Sequence, residues 1–177
     1  MKKFISLMLA LVMALALVAC GSKDDGKEKL VMGTSADYAP YEFMYPNDKG
    51  EMVYGGIDIS VGQAIADHMG KELQIENMGF DFLLTNMQNG KCDMVLAAIE
   101  VTDDRLLVAD FSDTYYTDLP AMILVKAGDA TTYKTLNDFA GKKVGAQTAT
   151  TKETIVKEDM AGAELVSLQV VTYKKRL

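Results

Sequence analysis

Five consecutive apolar residues, Met94-Val95-Leu96-Ala97-Ala98, follow the polar turn Asn89-Gly90-Lys91-Cys92-Asp93 without the alternation of a half-exposed strand. Such a run needs burial on both faces, which a parallel sheet covered by helices supplies. The flanking pattern agrees. Strands are expected at Leu30–Gly33, Leu73–Ile75, Met94–Ala98, Ala121–Val125, Val144–Ala146 and Leu165–Val170. Between them, Ile57–Met69 carries apolar residues at 57, 61, 64, 65 and 69, with Asp58 or Ser60 to cap its start and Gly70 to stop it. Asp81–Asn89 reads as a helix capped by Asp81 and ended by Gly90, and further helices are expected near Leu136–Phe139 and Thr151–Asp159. Thr102-Asp103-Asp104 is a helix start, a capping hydroxyl followed by two carboxylates where the helix dipole favours them. A Tyr/Pro-rich loop (Tyr38-Ala39-Pro40-Tyr41) and a hairpin-like turn at Asn47-Asp48-Lys49-Gly50 complete the pattern. The alternation implies an α/β sandwich, whose ligands sit beyond the carboxyl ends of the strands.

The chain has 177 residues, long enough for one domain or two small lobes. Its 18 Lys+Arg against 25 Asp+Glu, a net charge of −7 with no concentrated basic stretch, argue against nucleic acid as a partner. Lys2 and Lys3 precede an apolar run from Phe4 to Ala19 that falls short of the roughly 20 residues of a spanning helix, so residues 1–19 read as an export signal. Its end, Leu17-Val18-Ala19-Cys20-Gly21, resembles the lipobox of bacterial lipoproteins, which implies a diacylated Cys20 as a stable membrane anchor. Residues 20–29 continue without an apolar side chain after Cys20 and read as a flexible tether. Cys92 is then the one cysteine left, and is expected to be a small packed side chain outside any disulfide.

Motifs for catalysis or resident cofactors are missing. There is no G-x-S-x-G, no H-E-x-x-H and no cysteine pair at metal spacing; Gly141-Lys142-Lys143 is not a phosphate loop, and His68, the single histidine, reads as a helical side chain. No enzyme activity, metal or cofactor is expected.

Several segments, in order, resemble the amino-acid-binding subfamily of bacterial ABC-transporter solute-binding proteins. They are Val31-Met32-Gly33-Thr34-Ser35-Ala36-Asp37-Tyr38-Ala39-Pro40-Tyr41-Glu42-Phe43, Gly56-Ile57-Asp58-Ile59 leading into Ala64-Ile65-Ala66, Asn89-Gly90-Lys91-Cys92-Asp93, Thr102-Asp103-Asp104-Arg105, Asp110-Phe111-Ser112-Asp113-Thr114-Tyr115-Tyr116, and Leu136 through Gly145. The resemblance implies a type II periplasmic-binding-protein-like fold of two lobes, lobe I over 30–120 and lobe II over 121–177. It also implies an amino-acid ligand, polar or cationic, between the lobes, and delivery to a permease carrying an ATPase.

By the same resemblance, Arg105 receives the ligand's α-carboxylate. A planar guanidinium can hold a carboxylate by two parallel hydrogen bonds; the other reading is a solvated Arg paired with Asp104 or Asp110. Ala97 and Ala98 match positions whose backbone meets the ligand, although alanine is equally good core material. Tyr38 matches an aromatic cover for the ligand side chain, and Ser35 falls where relatives selective for basic amino acids often carry an acid. Tyr41 is expected to pack at the lobe edge. Thr150 and Thr151, in Gln147-Thr148-Ala149-Thr150-Thr151, match a Gly-Thr-Thr segment that offers a hydroxyl and amides to the same carboxylate, or serve as a plain helix cap.

Glu100 departs from a common Ser or Thr, so either it points away or the pocket prefers a cation. Ile57 replaces a common aromatic. The resemblance fades after Leu168, and the ending Val170 to Leu177 suggests a second lobe left incomplete by truncation. The alternatives carried alongside are an inert fragment of such a protein and a cyclohexadienyl-dehydratase-like enzyme on the same fold.

Overall fold

The computed structural model describes residues 27–169. The export signal, Cys20, most of the tether and the ending from Val170 lie outside the described residues.

The first unit is built on a parallel sheet in the order β5-β1-β6, with β1 at Lys29–Thr34, β5 at Glu72–Asn77 and β6 at Met94–Val95. β1 lies in the middle, and its Leu30 and Met32 are core residues. Helix α1 (Ile57–His68) packs on this sheet, with α2 (Leu83–Gln88) against β1 and β6. Cys92 is buried and free, its Sγ beside Gly33.

Both helices end on the glycines expected to stop them. At Gly70 (φ 68°) and Gly90 (φ 68°) the chain turns left-handed, and the next residues, Lys71 and Lys91, donate back to the carbonyls of Ala66 and Asn86.

Their starts correct the expectation. α1 is entered through Gly56 (φ 124°), where a Cβ would strike the Tyr41 carbonyl, and neither Asp58 nor Ser60 caps it. Its inner face is Asp58, Gly62 and Ala66, whereas Ala64, Ile65 and Met69 are exposed. The small side chains let the helix come so close to β1 that a Cβ on Gly62 would run into Met32 Sδ. Asp81 caps no helix either. It sits inside a 3₁₀ turn (Phe80–Phe82) that begins at Gly79 and leads into α2.

A second, antiparallel sheet of β2 (Asp37–Tyr38), β3 (Glu42–Pro46) and β4 (Met52–Gly55) was not anticipated as strands, although its connecting turn was. Asn47 closes that turn, its Oδ1 accepting from the amides of Lys49 (2.9 Å) and Glu51 (3.0 Å).

β6 is shorter than the apolar run. After Val95, one more amide, Leu96, reaches the Gly33 carbonyl, and side chains then replace the ladder. Thr34 Oγ1 donates to the Leu96 carbonyl (2.7 Å), and Ala98 N–H donates to Asp58.

Helix α3 (Asp103–Leu106) starts as expected, Thr102 Oγ1 accepting the Arg105 amide. From residue 107 to 135 there is no strand or helix. The strand expected at Ala121–Val125 does not form, because no strand among the described residues pairs with it, and Met122 and Leu124 stand exposed.

The second unit is a parallel pair, β7 (Lys143–Gln147) and β8 (Glu164–Leu168), crossed by α4 (Thr151–Glu158) and preceded by a 3₁₀ turn at Leu136–Phe139. Its core is Phe139, Ala146, Val156 and Met160, with Val125, Tyr133, Val144, Ala163 and Leu165 packed around it.

Candidate functional site

The chain leaves β6 and β7 in the same way. Each strand is followed by an alanine in the left-handed region, Ala98 at φ 47° and Ala149 at φ 64°, the two non-glycine residues with positive φ among those described. An L-residue there is strained by its Cβ and needs its surroundings to hold it.

Arg105 joins these two strand ends. Its guanidinium donates through one nitrogen to the Glu100 carbonyl (2.6 Å), in the loop after Ala98, and through the other to the Ala149 carbonyl (2.9 Å). The Phe80 ring lies under it, 5.5 Å from the guanidinium carbon to the ring centre. Neither Asp104 nor Asp110 is among its hydrogen-bond or ion-pair partners. Burial draws the guanidinium's pKa down while the Glu100 charge opposes that shift.

The Glu100 side chain points across to the second unit. Its carboxylate accepts from the Thr151 hydroxyl and from Lys152 Nζ (2.8 Å) at the start of α4. Burial would raise its pKa, but the hydrogen bonds from Lys152 and Thr151 and the Lys152 and Arg105 charges outweigh it and hold the group below its ordinary value. Thr150 caps α4: its Oγ1 accepts the Glu153 amide (3.3 Å) and donates to the Gln147 carbonyl (2.7 Å).

Of the residues expected at the site, the structure therefore brings Glu100, Arg105, Thr150 and Thr151 to one seam between the two units. Ala98 stands at the mouth of that loop, and Ala97 is buried. Ser35 is buried just beyond β1, with its hydroxyl 3.4 Å from Asp37 Oδ1. Tyr38 is placed by different contacts, its ring stacked on Tyr41 at 5.4 Å and 4°. Tyr41 is itself buried and meets the edge of Tyr116.

Sequence reasoning missed Phe80, Ala149 and Lys152. Nothing in their local patterns marks them, since each acquires its role from a partner far along the chain. It also missed the fully buried Asp58, whose Oδ2 accepts the Ala98 amide (2.6 Å) and whose Oδ1 accepts the Tyr115 hydroxyl (2.8 Å). Glu153 was missed too, although its spacing from Thr150 is that of a capping box. Among the described residues, no group of three metal-ligating side chains gathers anywhere.

Comparison with known proteins places this chain in a family. The model of the bacterial extracellular solute-binding proteins, family 3, matches residues 30–171. The arginine-binding extracellular protein ArtP of Bacillus subtilis is 37% identical over 162 residues, covering 89% of this chain and 60% of its own length. The L-cystine-binding protein TcyJ of Escherichia coli is 32% identical over 165 residues, covering 87% and 60% respectively. Among solved structures, the amino acid ABC transporter substrate-binding protein AbpA of Streptococcus pneumoniae, bound to L-arginine, superposes with a TM-score of 0.76 at 40% identity. That match covers 81% of this chain and 60% of the other. The chain thus has the α/β periplasmic-binding-protein fold and spans about 60% of the length of the curated relatives it matches.

Proposed function

The chain belongs to family 3 of the bacterial extracellular solute-binding proteins, and on that premise we propose that it binds an amino acid, without catalysis, at the seam between its two units. Lobe I comprises residues 30–120 and lobe II begins at 121, a division supported by the packing of Val125 and Tyr133 on the Phe139 core. Delivery is to a membrane permease with its ATPase, and Cys20 carries a lipid anchor that keeps the protein on the outer face of the membrane.

The single observation that carries this reading is Arg105 spanning the seam between the Glu100 and Ala149 carbonyls over the Phe80 face. A guanidinium so placed offers a ligand carboxylate a planar, charge-assisted pair of donors. The hydroxyl and backbone N–H groups at the start of α4 lie on the other side of the same seam, where the helix dipole favours negative charge. Ser35, Tyr38 and the backbone of Ala97 and Ala98 complete the proposed contacts. The Glu100 carboxylate is already paired with Lys152 and Thr151, so the choice of ligand follows the relatives: L-arginine is the first to try, in keeping with the name of ArtP and the L-arginine bound to AbpA.

The test is a thermal melt of the chain against each common amino acid. A ligand at a hundredfold over its Kd stabilises by about 2.7 kcal/mol. Arg105→Ala is expected to remove about 2–5 kcal/mol of binding, the cost of leaving a carboxylate without its charged partner. No shift with any amino acid, or full affinity in Arg105→Ala, contradicts the reading. Release of the protein from membranes on Cys20→Ala tests the anchor separately.

A further inference from the structure

Both left-handed alanines have their amides received by an acidic side chain. Ala98 N–H donates to Asp58 Oδ2 (2.6 Å), and Ala149 N–H donates to Glu153 Oε2 (3.0 Å). Each acid is itself fastened from elsewhere in the fold. The other oxygen of Asp58 accepts from Tyr115, on the segment that leaves lobe I, and the buried Glu42 of β3 is in side-chain hydrogen-bond contact with Asp58. The other oxygen of Glu153 accepts from Ser167 of β8 (2.6 Å), and Lys157, one helical turn on, pairs with the oxygen that receives the Ala149 amide (3.2 Å). Asp58 is 0% exposed, Glu42 1% and Glu153 7%, so these are interior groups.

A left-handed alanine is strained by its Cβ and persists only where its surroundings enforce it; such outliers cluster at functional sites. A charge-assisted hydrogen bond from the strained residue's own amide is a direct means of enforcing it. The two turns held in this way are also the two that Arg105 ties together, through the Ala149 carbonyl and the Glu100 carbonyl two residues past Ala98.

We propose that Asp58 and Glu153 are a matched pair of positioning residues, each holding one left-handed alanine turn so that its backbone faces the amino acid bound between the lobes. The ligand part of this rests on the binding function proposed above; the holding of the turns does not. Neither acid touches the ligand. Asp58 works with Glu42 and Tyr115, Glu153 with Ser167.

The test is amide NMR of the full chain, with L-arginine as the probe ligand, on Asp58→Asn and Glu153→Gln. These changes keep shape and remove charge. The Ala98 amide is expected to shift upfield in the first and the Ala149 amide in the second, while β1 and β7 amides stay in place. L-Arginine affinity is expected to fall at least tenfold in each. Glycine carries no Cβ penalty at positive φ, so adding Ala98→Gly to Asp58→Asn is expected to restore affinity toward the parent value, which a general packing defect would not allow. If a variant fails to fold, Tyr115→Phe and Ser167→Ala each remove only the fastening bond and are expected to move the same alanine amide.

Unmoved alanine amides, unchanged affinity in a parent that binds L-arginine, or no recovery on adding the glycine would each overturn the proposal. A parent that binds no amino acid, but whose Ala98 and Ala149 amides move as described, retains the positioning role and loses the binding function.

Discussion

At Ala98 the carboxylate that receives the amide lies fully buried against a second acid, whereas at Ala149 it lies against a serine hydroxyl and a lysine. The same local shape is thus held under opposite electrostatics. In lobe I, burial first and the Asp58 charge second push Glu42 up to about 10 from an ordinary 4.5, with Asp37 adding to the effect. Among the described residues neither Glu42 nor Asp58 forms an ion pair, and the proton kept on Glu42 is what makes their close approach tolerable. In lobe II the Ser167 hydroxyl, ahead of the opposing effect of burial, and then the Ala149 amide and Lys157 hold Glu153 below its usual range. One turn is therefore secured by keeping a proton and the other by releasing one.

The two lobes also differ in how much core stands behind each turn. Met32, Leu83, Leu30 and Ala66 are buried around the three-stranded sheet, while lobe II relies on the cluster at Phe139. The largest expected effect separates them on that ground. Phe139→Ala should cost about 3–5 kcal/mol, since it empties the centre of the smaller core. Hydrogen exchange should then show β7 and β8 amides losing protection while β1 amides keep theirs; equal loss in both would mean that the lobes unfold as one.

The electrostatic contrast is sharpened by pH. Between about 4.5 and 10 folded Glu42 keeps a proton that the unfolded chain releases. Its contribution to stability is accordingly full below 4.5 and is lost as pH rises toward 10, by at most about 1.4 kcal/mol per pH unit. Glu42→Gln should flatten that slope and leave the protein relatively more stable at neutral pH, as read by denaturant titration at several pH values. Glu153 runs the other way. Its folded pKa is depressed, so its contribution is present above the ordinary value and is lost as pH falls through the lowered one. In Glu153→Gln the acid limb of the stability profile should shrink while the alkaline limb is unchanged. A profile altered on the wrong limb in either variant would break the comparison.

The smallest effect concerns Lys157. It reaches the buried Glu153 carboxylate at i,i+4 from the solvent side, its own side chain 55% exposed, and Ser167 and the Ala149 amide keep that carboxylate bonded without it, so Lys157→Met should cost about 0.3–0.5 kcal/mol. A larger loss in chemical denaturation would shift the weight of the Ala149 turn from Ser167 to the lysine.

Much of the framework was legible because it depends on near neighbours. Glycine at 70 and 90 stops the helices because only glycine turns left-handed there without cost, and the Thr102 hydroxyl reaches an amide three residues on. The family-like segments also carried Arg105, Thr150 and Thr151, Glu100 was marked by its departure from that pattern, and the fold brings all four to one seam. Hydrophobic periodicity misjudged α1, because the face that goes inward is Asp58-Gly62-Ala66, chosen for closeness to β1 rather than for oiliness. Likewise Ala121–Val125 has the composition of a strand but finds no edge to pair with among the described residues.

By itself, then, the sequence determined what a few residues can settle among themselves: the parallel α/β alternation, the helix stops, the Thr102 cap and the acidic balance of the chain. Tertiary structure decided which carboxylates are buried, which alanines turn left-handed, and that Arg105 reaches the Ala149 carbonyl, Asp58 the Ala98 amide and Glu100 the Lys152 ammonium. Those contacts join residues tens of positions apart, and hydrogen-bond and desolvation energies depend on what arrives across the fold, which no local pattern encodes.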